Sequence, residues 1–164
     1  MKVVSKQTNS KSCIICGMEN PLGVKAQFYN MEDGTVASIF QFKFEHQSYP
    51  QRVHGGMISA MLDELIGRVL WVKDPDTYGV TTSLAVKFRK PVPYNTQLKA
   101  RAVMQTETAR FFTARGEIFD MQGNLLAEAE GNYLKLPPEK IATDVSVDDE
   151  MAYNIKDEIT DIEF

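Results

Sequence analysis

Only two cysteines, Cys13 and Cys16, and two histidines occur in these 164 residues, and their scarcity removes whole classes of protein. A zinc finger needs four ligands, yet no second cysteine pair follows, and His46 and His54 stand about thirty residues on at no finger spacing. A redox Cys-x-x-Cys belongs between a strand and a helix, whereas this one precedes the turn signal Asn20-Pro21-Leu22-Gly23. The pair is therefore read as structural, and no metal or redox cofactor is expected. No apolar run is long enough to cross a bilayer, and Met1 to Lys6 lack the apolar stretch of a signal peptide. The expectation is a cytoplasmic protein without membrane contact. A basic stripe interleaved with aromatics is also missing, which argues against nucleic acid as a partner.

The net charge of −4 is unevenly placed. Residues 137–164 contribute −7, so residues 1–136 carry +3, a balance that accommodates an anionic small molecule. The apolar fraction of 43% suits one globular domain with an adequate core.

The stretch around which the chain is organised is Val53 to Gly67, extending to Trp71. It reads as a helix that is apolar nearly all round, and such a helix is normally buried on most sides. At ~100° per residue, Gly56, Ser59, Asp63 and Gly67 fall on one narrow stripe, with Glu64 and Arg68 forming an i,i+4 surface or interface pair beside it. An acid on a buried helix needs a partner or a task. Two successive glycines, Gly55 and Gly56, permit close backbone approach, and the free N–H groups at a helix start favour negative charge.

In chain order, residues 1–12 are polar and expected to be flexible. Val24–Asn30 and Thr35–Glu45 read as strands joined at Glu32-Asp33-Gly34. In the second, Val36, Ser38, Phe40, Phe42 and Phe44 form the expected core face. The helix is expected from Gly55 to Lys73, stopped at Asp74-Pro75. Gly79–Arg89, Thr96–Glu107, Arg110–Asp120 and Asn124–Leu136 read as four antiparallel strands with short connections. The acidic extension 137–164 is expected to hold one helical piece around Asp148–Ile159.

Two strands, a helix opening His54-Gly55-Gly56 with Asp63 eight residues past the first glycine, then four strands, together resemble the hotdog-fold thioesterases of the PaaI-like group. The lead-in Cys13-x-x-Cys16-Gly17-x-x-Asn20-Pro21-x-Gly23 and the run His46 to Gly56 are similar to its bacterial members. The resemblance covers residues 13–136 and implies an α+β hotdog fold, an antiparallel six-stranded sheet wrapped around one long central helix. It implies an acyl-CoA thioesterase acting on a small or medium acyl, or aryl, thioester, working as a homodimer or dimer of dimers. Coenzyme A enters only as part of the substrate.

Carried over to this sequence, Asp63 matches the acid that serves as general base or nucleophile across the dimer interface. Gly56, with Gly55, matches the N–H groups that polarise the thioester carbonyl. Thr81 matches a Ser/Thr that orients water, and His54 an organiser of the loop. Relatives place Asn or Gln six residues before the His; here Ser48 stands there, with Gln47 beside it. Ser59 on the small stripe and the basic strand end Lys87, Arg89 and Lys90 complete the expected substrate-binding set, the last three facing the nucleotide phosphates. Two rival readings remain open: a non-catalytic acyl-CoA binding or sensing module, and a dehydratase of acyl thioesters. The first would not need Asp63; the second wants a His–acid pair in one site.

Overall fold

The computed structural model describes residues 1–142, 146–154 and 156–164. Seven strands form one antiparallel sheet: β1 Val3–Lys6, β2 Gln27–Met31, β3 Val36–Gln41, β4 Tyr78–Phe88, β5 Gln97–Glu107, β6 Phe111–Asp120 and β7 Leu125–Leu136. Their order across the sheet is β1-β2-β3-β5-β6-β7-β4. One long helix, α1 Gly55–Gly67, crosses the inner face of this sheet and packs on β3 to β7. This is the hotdog architecture expected from the sequence, with seven strands in place of six. The extra strand, β1, lies in the segment expected to be flexible.

Small side chains decide how close the helix comes. Ala102 on β5, Gly116 on β6 and Ala129 on β7 are register partners and form a row across the sheet. A Cβ at Gly116 would stand 2.8 Å from Ile66 Cγ1 and 3.4 Å from Leu62 Cδ2, so α1 rests against backbone there. Ile58, Met61, Leu62, Leu65 and Ile66 are all buried in the resulting core. Each contributes about 1.5–3 kcal/mol of transfer free energy relative to exposure.

The α-helix ends at Gly67, earlier than the expected Lys73, and Arg68–Val72 continue as a 3₁₀ turn. Arg68 is the reason. Its side chain is 3% exposed, bonds Glu64 and the Thr8 carbonyl, and lies over the rings of Phe28 and Trp71 at 4.3 and 4.7 Å. The Glu64–Arg68 pair is thus partly interior, because the first residues of the chain cover it. Phe44 departs from the expected strand face as well: it sits in a 3₁₀ turn, 58% exposed, while Val36, Ser38, Phe40 and Phe42 are buried as expected.

The acidic extension holds a 3₁₀ turn at Pro138–Lys140 and a short helix at Val147–Glu150, and the described residues beyond it are not helical. Residue 155 of the expected helical piece lies outside the described residues. The end of the extension returns to β1, with the Val3 N–H donating to the Thr160 carbonyl at 2.8 Å and the Ile162 N–H to the Met1 carbonyl at 2.9 Å. Ile162 is buried against Tyr29, Met31 and Ala37 on the outer face of the sheet. At the opposite edge, β4 pairs only with β7 among the described residues, leaving an eleven-residue strand with one free side and exposed Val80 and Phe88. No described helix is long and apolar enough to cross a membrane.

Gly116→Ala should destabilise the protein by about 1–3 kcal/mol through overpacking against Ile66. Thermal unfolding is the measurement, with a fall of roughly 2–4 °C expected per kcal/mol. An unchanged melting temperature would mean that α1 does not lie so close to β6.

Candidate active site

Two sites of potential chemistry lie on α1, separated along its length. The first is the helix start. His54 is the N-cap, in extended backbone conformation, and its Nδ1 accepts the Gly56 N–H at 2.9 Å. The Gly56 N–H expected to face a substrate carbonyl is therefore engaged by the imidazole. The Gly55 N–H has no partner among the described residues and is the free donor at this end. It opens on a depression of about 420 Å³ lined also by Ser48, Arg52, Phe88, Arg89 and Lys90.

A second histidine holds this loop in place. His46 is 4% exposed; its Nδ1 accepts the Lys43 N–H at 3.0 Å and its Nε2 donates to the Leu22 carbonyl at 2.7 Å. The His54 N–H in turn donates to the His46 carbonyl at 2.8 Å. The turn at Asn20–Gly23 is thus tied through His46 to the residue that caps α1.

The second site is Asp63, two turns along. Thr81 Oγ1 donates to Asp63 Oδ1 at 2.8 Å, and the Tyr133 hydroxyl donates to the same oxygen at 2.9 Å. Oδ2 has no partner among the described residues, so the carboxylate is oriented through one oxygen and open at the other. Thr81 and Tyr133 are cross-strand partners on β4 and β7, and the register shifts between Thr81 and Ser83. Such a bulge re-aims side chains locally. Tyr133 is 1% exposed and stacks on Phe112 with ring centroids 4.8 Å apart. Gly79 makes room for that stack, since a Cβ there would stand 2.8 Å from the Phe112 ring. Burial, and then the Asp63 carboxylate, push the Tyr133 phenol far above its ordinary range, so it stays protonated and acts as a donor. Tyr133 was not singled out from the sequence. Its signal there is a large aromatic with a polar tip following the small residues Ala127, Ala129 and Gly131 on one strand.

Asp63, Gly67, Tyr78, Gly79, Thr81 and Tyr133 share a cavity of about 400 Å³ with Cys13. The Cys13 thiol is lowered to about 7, chiefly by its hydrogen bond with Cys16, with burial and Glu64 opposing. Cys16 is raised, by that same bond and then by burial.

The remaining expected residues divide. Ser59 Oγ donates to the Gly55 carbonyl one turn back at 2.8 Å, a local helix bond. Gln47 Oε1 accepts from Tyr94 at 3.1 Å and lines neither cavity. Arg89 Nε bonds Glu128 at 2.9 Å, and Lys90 Nζ reaches Asn124 at 3.2 Å. Lys87 lies in a separate depression with Arg115 and Glu128, where Arg89 also reaches. The structure therefore joins Asp63 to Thr81 in one place and Gly55, Ser48, Arg89 and Lys90 in another.

Comparison with known proteins fits this geometry. The sequence model of the thioesterase superfamily matches residues 51–127, the span from the helix-start loop to β7. Acyl-coenzyme A thioesterase THEM4 of Rattus norvegicus is 26% identical over 128 residues, covering 77% of this chain and 54% of that protein. THEM4 of Bos taurus is 27% identical over 148 residues, 87% of this chain and 59% of that protein. The chain thus spans little more than half the length of these relatives. Among solved structures, a thioesterase superfamily protein aligns with a TM-score of 0.69 at 24% identity, over 75% of this chain and 63% of that one. A Bacillus halodurans protein crystallised with CoA aligns with a TM-score of 0.59 at 24% identity, over 69% and 74% respectively.

The bonds at Asp63 make a stability prediction. Asp63→Asn keeps an acceptor oxygen for Thr81 and Tyr133 and should melt within a few degrees of wild type, whereas Asp63→Leu leaves the buried Tyr133 hydroxyl only its longer bond, 3.2 Å, to the backbone carbonyl of residue 63, at a cost of about 1–3 kcal/mol. Equal melting temperatures for the Leu variant and wild type would show that Tyr133 does not depend on this carboxylate.

Proposed function

We propose that this chain, whose residues 51–127 match the thioesterase superfamily, is a hotdog-fold thioesterase that hydrolyses acyl-coenzyme A thioesters with Asp63 as the base. The observation that carries the reading is the asymmetric carboxylate, held at Oδ1 by Thr81 and Tyr133 and open at Oδ2 in a cavity. An acid fixed in this way can take a proton from water without losing its position.

In the proposed reaction, Oδ2 accepts a proton from a water molecule as its oxygen attacks the thioester carbonyl carbon. The carbonyl oxygen becomes an oxyanion and needs a donor. The free Gly55 N–H, at the positive end of the α1 dipole, suits that charge. Collapse of the tetrahedral intermediate breaks the carbon–sulfur bond. The proton held by Asp63 then passes to the departing thiolate, leaving the carboxylate as it began. Gly56 acts indirectly: its bond to His54 fixes the cap that presents Gly55.

Gly55 and Asp63 cannot serve the same carbonyl within one subunit, because eight residues of helix span ~12 Å. The free edge of β4 supplies the remedy. Antiparallel pairing of β4 with a second β4 about a two-fold axis places the Tyr78 end of one strand beside the Phe88 end of the other. The Asp63 and Thr81 cavity of one subunit then meets the Gly55 depression of the partner. Such pairing also removes a long edge strand with exposed Val80 and Phe88, otherwise a liability for aggregation. The active form in this reading is a homodimer or a dimer of dimers. Arg52, Arg89 and Lys90 beside Gly55 form a basic rim for the phosphates of coenzyme A, and a cytoplasmic setting, where such thioesters are held, fits the absence of any disulfide.

A dehydratase reading is disfavoured by His54, whose Nδ1 is committed to the Gly56 N–H. A purely binding role leaves the orientation of Asp63 without a purpose.

Thiol release from a panel of short-chain, medium-chain and aryl CoA thioesters tests the proposal. Asp63→Asn should lower turnover by about 100-fold or more. Gly55→Pro removes the N–H at a position where proline is tolerated, after a residue already extended (His54 ψ 134°), and its Cβ would stand 3.4 Å from the Phe88 ring, an ordinary contact. It should cost roughly 100- to 1,000-fold with the fold kept. Binding without release by the wild type would favour a sensing module, and release undiminished in Asp63→Asn would remove the acid from the mechanism.

A further inference from the structure

The proposed hydrolysis uses neither cysteine and leaves the Glu64–Arg68 pair unexplained. The fold brings these four groups together. Glu64 follows Asp63 on α1, and the lead-in turn places Cys13 and Cys16 over it, so that the two Sγ atoms and a Glu64 carboxylate oxygen lie within 4.8 Å of one another. The sequence shows only two ligands here, because the third comes from the helix fifty-one residues on.

The turn is built to carry negative sulfur. Cys13 Sγ accepts the N–H groups of Ile15 at 3.2 Å and Cys16 at 3.4 Å. The Gly17 N–H closes the turn on the Cys13 carbonyl at 2.8 Å, and a Cβ at Gly17 would fall 2.3 Å from that carbonyl oxygen, so only glycine fits. The Glu64 carboxylate is divided: Oε1 accepts from Arg68 Nε at 2.8 Å, while Oε2 stands 3.8 Å from Cys13 Sγ. Tetrahedral zinc with sulfur at about 2.3 Å and oxygen at about 2.0–2.2 Å sets neighbouring ligand atoms roughly 3.5–3.8 Å apart. The Cys13–Glu64 separation already has that value.

Arg68 supplies an independent observation. Its side chain is 3% exposed, it bonds Glu64 and lines the same cavity as Cys16, and its Nη2 has no hydrogen-bond partner among the described residues. A buried guanidinium N–H beside a neutral thiol is poorly satisfied; beside a thiolate it gains a charge-assisted bond.

We propose that Cys13, Cys16 and Glu64 form a binding site for a thiophilic divalent cation, zinc foremost, with Arg68 as the neighbour that balances its charge. Binding displaces the two thiol protons to solvent. A doubly charged ion, two thiolates and one carboxylate leave a single negative charge, which the guanidinium cancels. Soft sulfur ligands select zinc over calcium or magnesium. The fourth position faces the cavity that also holds Asp63. The ion pins the lead-in turn to α1 one residue from the proposed base and has no step in the hydrolysis.

The test uses the full chain, purified reduced and without chelators or nickel resin. Metal analysis should find one zinc per chain. After zinc removal, anaerobic titration with cobalt(II) should give the near-ultraviolet thiolate charge-transfer band and the visible bands of a tetrahedral ion. Cys13→Ser and Cys16→Ser should lose the charge-transfer intensity. Because either could disturb the turn, Glu64→Gln is the decisive variant: it keeps an oxygen for Arg68 but loses the anionic ligand, and should bind cobalt at least tenfold more weakly in competition with a chromophoric chelator. Wild-type protein with neither stoichiometric zinc nor cobalt charge transfer would overturn the proposal. Glu64→Gln binding as tightly as wild type would overturn the ligand set. All readouts are metal binding, so the outcome is separate from whether the chain hydrolyses thioesters.

Discussion

Everything at the proposed active site depends on how near α1 comes to the sheet. The row Ala102, Gly116 and Ala129 removes side-chain volume under the helix, and Ile66 and Leu62 descend into that space. Only with the helix this low does Asp63 meet hydroxyl groups carried by two different strands. A carboxylate on an apolar helix is costly unless it is hydrogen-bonded, so the packing that buries the helix also requires the bonds that orient the acid. Stability and geometry therefore have one source.

The same helix carries two electrostatic functions at different points. Its start presents an unpaired N–H where the peptide dipoles favour negative charge, and its middle presents a base. Their separation exceeds the size of a thioester carbonyl, and the open side of β4 lies beside both. In the proposed dimer each subunit accordingly supplies half of two sites. The first and last segments of the chain occupy the far end of the sheet: β1 and residues 156–164 close that edge and cover Tyr29, Met31 and Ala37. This leaves β4 as the free edge among the described strands.

The sheet and the helix were legible because alternation and near-continuous apolarity are strong signals; the four strands after the helix lie within one residue of their expected bounds, while β2 starts three residues later, at Gln27, and β3 ends four residues earlier, at Gln41. The polar β1 gave no such signal, since an edge strand buries little, and the extension looked helical because acidic composition says nothing about the hydrophobic Ile162 docking on the sheet. Asp63 stood out on the small stripe of the helix and Thr81 only through the family resemblance, and the structure brings them together. Tyr133 was missed because its meaning lies in a cross-strand contact with Thr81 that the sequence does not display. The exchange of roles between Gly55 and Gly56 was likewise hidden, as it turns on which N–H the His54 ring captures. Glu64 looked like half of a surface pair because nothing in the pattern of α1 shows that residues 7–16 fold over Arg68.

The central claim is that Asp63 of one subunit and Gly55 of its partner act on the same carbonyl, and subunit mixing measures it most directly. Asp63→Asn and Gly55→Pro, each inactive alone, would be unfolded together in equal amounts and refolded. Random pairing makes half of the dimers mixed, and each mixed dimer has one intact site, so the account predicts recovery of about a quarter of wild-type turnover. No recovery in a refolded mixture that demonstrably contains mixed dimers would place both residues within one subunit's site and contradict the account.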